Sequence, residues 1–210
     1  MSQLKCDFRV VGSVQTNCYF LSDTNGNCVV VDPGEEAARI IDYIEKKDLK
    51  PVAILLTHGH FDHIGAVDEV REKYDIKVYA AAAEKETLQN TDINLSSQFG
   101  AGFKVEADEY LNDGQEIELL GEKVRCILTP GHTKGGMCYY FTNSGMLFSG
   151  DTLFQQSVGR TDFPGGSMSE IVRSIRKKLF ILPDYVRVYT GHGMMTTIKD
   201  EKMLNPFAVE

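Results

Sequence analysis

Residues 52–65 read VAILLTHGHFDHIG, in which a run of five apolar residues is followed at once by a cluster of histidines. The apolar run predicts a buried β-strand. The motif then leaves the carboxyl end of that strand and gathers His58, His60 and His63 around Asp62. The whole chain of 210 residues holds only five histidines. We therefore interpret this motif as part of a metal site.

The other two histidines occupy the same kind of position. His132 follows the strand-like run VRCIL, and His192 follows VRVYT. Asp151 in LFSGDT also follows an apolar run. Loops at one rim of a sheet can bring distant parts of the chain together, because a rigid scaffold aims them. We therefore expect seven candidate metal ligands to converge, namely His58, His60, Asp62, His63, His132, Asp151 and His192.

The spacing within the motif suggests two metals. In an extended segment His58 and His60 face the same side, whereas the neighbours Asp62 and His63 point apart. One ion does not easily take all four side chains, so we expect two sets of ligands. The first set is His58, His60 and His132, the second is Asp62, His63 and His192, and Asp151 lies between them. Two ions about 3.5–4 Å apart would share a hydroxide that serves as nucleophile at neutral pH.

The donor set also restricts the metal. Imidazole and carboxylate without thiolate suit Zn²⁺, which we expect, and also Fe or Mn. Each residue has a simpler interpretation as well: Asp62 caps a helix, His63 lies on its surface, and His132 or His192 alone is a hydrogen-bonded loop histidine. These interpretations do not explain why no histidine lies elsewhere in the chain.

The remaining sequence predicts sheets flanked by helices. Strand-like runs KCDFRVVG, NCYFLSD and NCVVVDPG open the chain, and helices are expected in EEAARIIDYIEKKDL and AVDEVREKY. The strand IKVYA and a polar stretch over about 84–108, with a helix and a long loop, come next. The second half predicts hairpins in IELLGEKVRCILTP and GMCYYFTNSGMLFSGD, a helix in MSEIVRSIRKKLFIL and the strand VRVYT. We expect one domain over residues 1–210.

Composition excludes several classes of function. The formal net charge of −8 opposes binding to DNA or RNA. No apolar run approaches the roughly 20 residues that a membrane span needs. The start MSQLKCDFRV has no secretory signal pattern, so we expect a cytoplasmic protein. The five cysteines form no C-x-x-C pair and are interpreted mostly as buried free thiols. The sequence leaves the oligomeric state open.

Taken in order, the motifs T-H-G-H-F-D-H, G-H-T, G-D-T and G-H resemble those of the metallo-β-lactamase superfamily. The segments TPGHTKGGMCYYF and FSGDTLFQQSVGRTDFPGGS most resemble its glyoxalase II (hydroxyacylglutathione hydrolase) branch and the related persulfide dioxygenases. The resemblance covers nearly the whole chain. It implies an α/β fold, an αβ/βα sandwich of two mixed β-sheets with outer helices and a metal centre at one edge. It also implies that the five histidines and Asp62 are ligands and that Asp151 bridges two metals.

Two departures from that branch concern the substrate. Glyoxalase II enzymes carry a C-terminal helical region that supplies basic residues to glutathione, and we expect no counterpart of it here. They also have a lysine and a tyrosine after G-D-T-L-F, where this chain has Arg160 and Phe163. We expect these two side chains to contact the substrate, with Arg160 able to bind a carboxylate through two hydrogen bonds. Alternatively, Arg160 belongs only to a structural salt bridge.

The favoured hypothesis is a metallo-hydrolase that uses a metal-bridging hydroxide on small-molecule thioesters of the hydroxyacylglutathione type. Asp62 and Asp151 would be its catalytic residues. The main alternative is a mononuclear iron persulfide dioxygenase that uses only His58, His132 and Asp151. Lactonase and phosphodiesterase activities are further alternatives. A purely structural zinc site is disfavoured, because such a site needs four ligands and the sequence offers seven.

Overall fold

The computed structural model describes residues 4–100 and 102–208. The first of two six-stranded sheets contains the strands β1 to β6 in spatial order. They are Lys5–Val11, Thr16–Ser22, Asn27–Val31, Lys50–Leu55, Lys77–Ala81 and Glu109–Leu111. The pairs β1–β2 and β2–β3 are antiparallel, whereas the remaining pairs from β3 to β6 are parallel. The sheet is therefore mixed.

The second sheet is built from the later part of the chain. Its strands β7, β8, β9, β10, β13 and β14 are Glu116–Leu119, Glu122–Leu128, Met137–Phe141, Met146–Gly150, Arg187–Thr190 and Thr196–Thr197. Their spatial order is β14-β13-β10-β9-β8-β7, and only β10 and β13 pair in parallel. A separate hairpin is formed by β11, Leu153–Phe154, and β12, Ser157–Val158.

Helices cover the outer faces of the two sheets. The helices α1 to α6 are Ala37–Lys46, Phe61–Ile64, Val67–Tyr74, Lys85–Gln89, Met168–Ser174 and Ile198–Leu204. A π-helical turn over Ile175–Leu179 continues α5, and short 3-10 turns lie at Ala82–Glu84 and Ser96–Gln98. None of the described helices has the length and apolar character needed to cross a membrane.

Strand β2 shows why the layers stack in this order. Cys18 and Phe20 pack with the helices α1 and α3, whereas Tyr19 and Leu21 pack against the second sheet. Successive side chains of a strand point to opposite faces, so a strand covered on both faces is apolar throughout. The outer face of the second sheet packs on α5 and α6 through residues such as Ile171. The αβ/βα sandwich with two mixed sheets is thus confirmed.

Most of the predicted elements are present, with a few differences. The helix expected over 168–182 ends its α-helical part at Ser174 and continues as the π-helical turn. The described parts of the stretch 84–108, residues 84–100 and 102–108, hold the short helix α4, a 3-10 turn and irregular loop, in line with the helix and long loop expected there. The strands β6, β11, β12 and β14 and the helices α2 and α6 were not predicted. Five of these six elements have only two to four residues, too few for a recognisable periodicity.

Candidate metal centre

The loops that hold the predicted ligands lie at one edge of the sandwich. Strand β4 leads into His58 and His60, β8 into the loop of His132, and β10 and β13 into Asp151 and His192. Because β10 and β13 are parallel neighbours, their carboxyl ends lie side by side. The two sheets approach each other here, and the N–H of Met137 donates to the carbonyl of Thr57 at 2.8 Å. The fold therefore gathers ligand loops from both sheets.

Three histidines form the first group. One ring nitrogen from each of His58, His60 and His132 lies within 4.8 Å of the other two, and all three residues are buried. Nδ1 of His60 lies 2.9 Å from Nε2 of His132. Nδ1 of His132 lies 2.7 Å from the carbonyl oxygen of Arg160, to which it donates. This bond leaves the lone pair of His132 on Nε2, which faces the other histidines.

The second group consists of Asp62, His63 and His192, whose ligand atoms also lie within 4.8 Å of one another. Oδ2 of Asp62 lies 3.5 Å from Nε2 of His63 and 3.3 Å from Nε2 of His192. The hydroxyl of Thr16 donates to the same oxygen at 2.8 Å. The structure therefore brings each of the two predicted sets together, and their binding of metal stays a prediction.

The expectation that Asp62 and His63 point apart is wrong. It assumed extended backbone through the whole motif, but Phe61–Ile64 forms the helical turn α2 directly after His60. In a helical turn, consecutive side chains diverge by about 100° rather than 180°. The carboxylate of Asp62 and the ring of His63 therefore reach the same group.

Asp151 lies between the two groups. Its Oδ1 is 3.4 Å from Nε2 of His63, and its Oδ2 is 3.6 Å from Nε2 of His132 and 3.4 Å from Nε2 of His192. Gly191 makes this placement feasible, because a Cβ atom there would lie 2.0 Å from Oδ1 of Asp151. Asp151 therefore faces both groups, and its role as a bridge between two metals stays a prediction.

Several buried polar atoms at this site have no hydrogen-bond partner within the described part of the chain. They are Nε2 of His58, Nε2 of His60 and Oδ1 of Asp151. Buried polar atoms in proteins are normally satisfied, so these three need an explanation. Cations between the imidazole nitrogens and the carboxylate oxygens would satisfy them. The donor set therefore fits two divalent metal ions held by nitrogen and oxygen.

The charges differ between the two groups. Burial lowers the pKa of His60 to about 3 and that of His58 well below its ordinary value, so these rings are neutral. Burial also disfavours the charged ring of His63, but the carboxylates of Asp62 and Asp151 outweigh it and raise its pKa to about 9. The second group, unlike His58 and His60, therefore attracts a proton when no metal is bound.

Two buried acids that support the site were not identified from the sequence. Asp32, after β3, accepts from Nδ1 of His63 at 2.9 Å. Its place at a strand end, like that of Asp151, was an available signal. Glu84 accepts from the N–H groups of Gly59 and Gly135 at 2.9 and 2.8 Å, and burial raises its pKa to about 7. The sequence carries no comparable signal for Glu84.

A cleft of about 510 Å³ opens over the candidate metal centre and is lined in part by Arg160 and Phe163. The guanidinium of Arg160 donates to both carboxylate oxygens of Asp162, at 2.7 and 2.6 Å, and stacks 3.8 Å over the ring of Phe163. Arg160 therefore meets both descriptions given from the sequence, since it lines the cleft and forms a salt bridge. Contact with a substrate stays a prediction for both residues.

Curated relatives resemble the chain over almost its full length. The probable metallo-hydrolase YqgX of Bacillus subtilis is 42% identical over 200 residues, which cover 94% of both proteins. The hydroxyacylglutathione hydrolase GloC of Haemophilus influenzae is 36% identical over 201 residues, again 94% of both. The chain is thus similar to metallo-hydrolases throughout, not only at the histidine motifs.

Solved structures show the same architecture. The crystal structure of BLEG-1 B3 metallo-beta-lactamase has a TM-score of 0.94 and 39% identity, with 98% of this chain and 100% of that chain covered. The structure of TTHA1623 in a di-iron-bound form has a TM-score of 0.85 and 35% identity, with 96% and 99% covered. The family described as the metallo-beta-lactamase superfamily matches residues 11–192, which include every candidate ligand. The chain therefore belongs to the metallo-β-lactamase superfamily and is a metallo-hydrolase with a His/Asp metal site.

Proposed function

We propose that this protein is a dinuclear metallo-hydrolase that cleaves small-molecule thioesters of the hydroxyacylglutathione type. The observation that carries the proposal is the position of Asp151, whose two oxygens face His63 on one side and His132 on the other. The similarity to the GloC hydroxyacylglutathione hydrolase supports the choice of thioesters. The proposed substrate reaches the site through the cleft.

Seven residues would hold the metals. We assign His58, His60 and His132 to the first ion, Asp62, His63 and His192 to the second, and Asp151 to both. We propose Zn²⁺, with iron as the second candidate, because a similar protein was crystallised in a di-iron form. When bound, two such ions supply Lewis acidity and a nucleophile formed from water at neutral pH.

The side chains of the protein orient this chemistry. Asp62 and Asp151 are proposed as catalytic residues because both carboxylates line the cleft beside His60 and His132. Thr16 donates to Oδ2 of Asp62 and fixes the orientation of that carboxylate. A thiolate is a good leaving group, so the reaction does not require a strong general acid. The described residues around the cleft can thus complete the reaction without a further acid.

The test combines metal content with activity. We expect the purified protein to hold two metal ions per chain and to release thiol from S-lactoylglutathione without oxygen. Asp151→Ala should lose at least one ion and most of the activity, because Asp151 contacts both groups. Asp184→Ala serves as the control, because it removes an exposed acid whose one ion pair among the described residues is with Lys202.

Two outcomes would contradict the proposal. One is an Asp151→Ala variant that keeps two metals and full turnover. The other is a protein with a single iron that consumes oxygen with a glutathione persulfide, which would indicate the dioxygenase alternative. That enzyme would use only His58, His132 and Asp151, so its metal content would separate it from the hydrolase.

A further inference from the structure

The cleft over the candidate metal centre has apolar walls. Phe61 stacks on Phe99 with ring centroids 4.2 Å apart and the planes 13° from parallel. Leu95 and Val158 line the cleft and are buried, and Phe163 lies opposite with its ring at 5.7 Å from that of His60. Walls of this kind favour an apolar group, because it gains free energy by leaving water.

The cleft offers one cation other than its histidines, within the residues that the structure describes. That cation is Arg160, and its Nε and Nη2 atoms donate to the two oxygens of Asp162 at 2.7 and 2.6 Å. This is the two-pronged geometry in which a guanidinium binds a carboxylate. Asp162 therefore occupies the Nε/Nη2 edge of Arg160, one of the two edges at which a guanidinium binds a carboxylate.

The negative charge of Asp162 strengthens its competition with a substrate carboxylate for Arg160. The hydrogen bonds from Arg160 lower the pKa of Asp162 to about 2, so Asp162 is ionised at any physiological pH. An anionic group that pairs with the same edge of Arg160 must therefore displace Asp162.

Resting on the thioester hydrolase proposed above, we propose that the cleft selects thioesters whose group in the cleft is uncharged and apolar. Asp162 is the specificity-determining residue, because it holds Arg160 away from a substrate carboxylate. Glutathione thioesters are then cleaved, as proposed above, but with a higher KM than uncharged thioesters. Asp162 lies two positions after Arg160 and is not one of the candidate metal ligands.

The experiment compares two probes on the metal-loaded protein. One is S-lactoylglutathione, which is anionic, and the other is S-benzoyl-N-acetylcysteamine, which is uncharged and aromatic. We expect a higher kcat/KM for the uncharged probe. Asp162→Asn should shift the ratio of the two kcat/KM values toward the anionic probe by about tenfold, the effect of one hydrogen bond to a charged group. The shift should appear mainly in KM.

Two further variants make the result specific. Asp184→Asn removes the same charge from an exposed acid whose one ion pair in the described part of the chain is with Lys202, so it should leave the ratio unchanged. In the double variant Asp162→Asn with Arg160→Met, the shift should disappear, because the freed guanidinium is then absent.

Two results distinguish selection by Asp162 from thioester hydrolysis itself. If the wild-type protein prefers S-lactoylglutathione and Asp162→Asn leaves the ratio unchanged, selection by Asp162 is wrong and thioester hydrolysis stands. If the protein with two bound metals cleaves neither probe, thioester hydrolysis is wrong and the inference falls with it.

Discussion

Nδ1 of His63 lies 2.9 Å from Oδ2 of Asp32, and both side chains are buried. Asp32 also accepts from the N–H and the hydroxyl of Thr57, at 2.8 and 2.6 Å. An ionised carboxylate can only accept hydrogen bonds, so Nδ1 of His63 carries a proton and Nε2 faces the candidate metal centre. Asp32 thus fixes both the tautomer and the orientation of a predicted ligand.

The first prediction concerns Asp32→Asn. The substitution keeps the size of the side chain but replaces an acceptor and a charge, so metal binding by the second group should weaken on the order of 10–100-fold. Competition with a chelator measures this affinity. Asp48→Asn is the matched control, because Asp48 is exposed and has φ 52°, close to the 51° of Asp32. Equal metal affinity in the Asp32 variant and the wild type would contradict the assignment.

Glu84→Gln should loosen the first group of ligands. Oε1 of Glu84 accepts from the N–H of Gly59, between His58 and His60, and Oε2 accepts from Gly135 and Thr133, next to His132. An amide NH₂ in place of either oxygen would face a donor and leave it unsatisfied, which costs about 1–3 kcal/mol.

We expect Glu84→Gln to lower the melting temperature and the metal content after dialysis. Glu86→Gln is the control, because Glu86 lies two residues away, is exposed and, within residues 4–100 and 102–208, has its one ion pair with Lys134. Similar melting temperatures and metal contents for the two variants would show that Glu84 does not position the ligand loops.

The two groups should also differ in the pH dependence of metal uptake. His60, with a pKa of about 3, is already neutral near pH 7, whereas His63, with a pKa of about 9, is protonated. Despite burial, the carboxylates of Asp151 and Asp62 also raise the pKa of His192, to about 11, so His192 is protonated as well. A ligand imidazole must be neutral, so a metal ion displaces two protons from the second group below about pH 9. Its apparent affinity should therefore rise with pH, by up to about tenfold per pH unit for each proton.

Calorimetry between about pH 6 and 8, in buffers with different ionisation enthalpies, would measure this proton release. We expect the two ions to release unequal numbers of protons when they bind, with the larger release from the ion at the second group. Identical proton release for both ions, with no change in affinity across that range, would refute the difference between the groups.

A further prediction concerns the cysteines. Burial raises the pKa of Cys126 to about 12 and of Cys138 to about 11, and Cys18 and Cys28 are buried as well. Only the thiolate reacts readily, so these four thiols should be inert to Ellman's reagent at about pH 8. All five should react after unfolding in guanidinium. Rapid reaction of more than one thiol in the native protein would contradict this burial; Cys6 is the partly exposed one.

The convergence of the ligands could be predicted because every ligand loop follows a strand with a clear apolar pattern. The convergence depends only on the order of strands and loops along the chain. The geometry inside the motif could not be predicted in the same way, because the four residues of α2 are too few to show helical periodicity. The grouping of Asp62 with His63 agrees with the structure, but the extended backbone assumed for these two residues does not.

The supporting acids show a second limit. Glu84 accepts hydrogen bonds from Gly59 and Gly135, which lie in loops that follow strands of different sheets and meet only after the sandwich has closed. No local pattern records such a contact. Arg160 shows a third limit. From the sequence, substrate contact and a structural salt bridge are alternatives for this residue, whereas the structure shows one guanidinium that lines the cleft and also pairs with Asp162.

Ligands from both sheets make the candidate metal centre a cross-link between the two parts of the chain. His58, His60, Asp62 and His63 follow a strand of the first sheet, whereas His132, Asp151 and His192 follow strands of the second. Thr16 and His192 also form a β-bridge across this boundary. An ion that binds only the closed sandwich stabilises the joined state and is released when either sheet detaches. Retention of metal therefore reports the integrity of the interface between the sheets, and slow metal loss would be an early sign that the two layers have begun to separate.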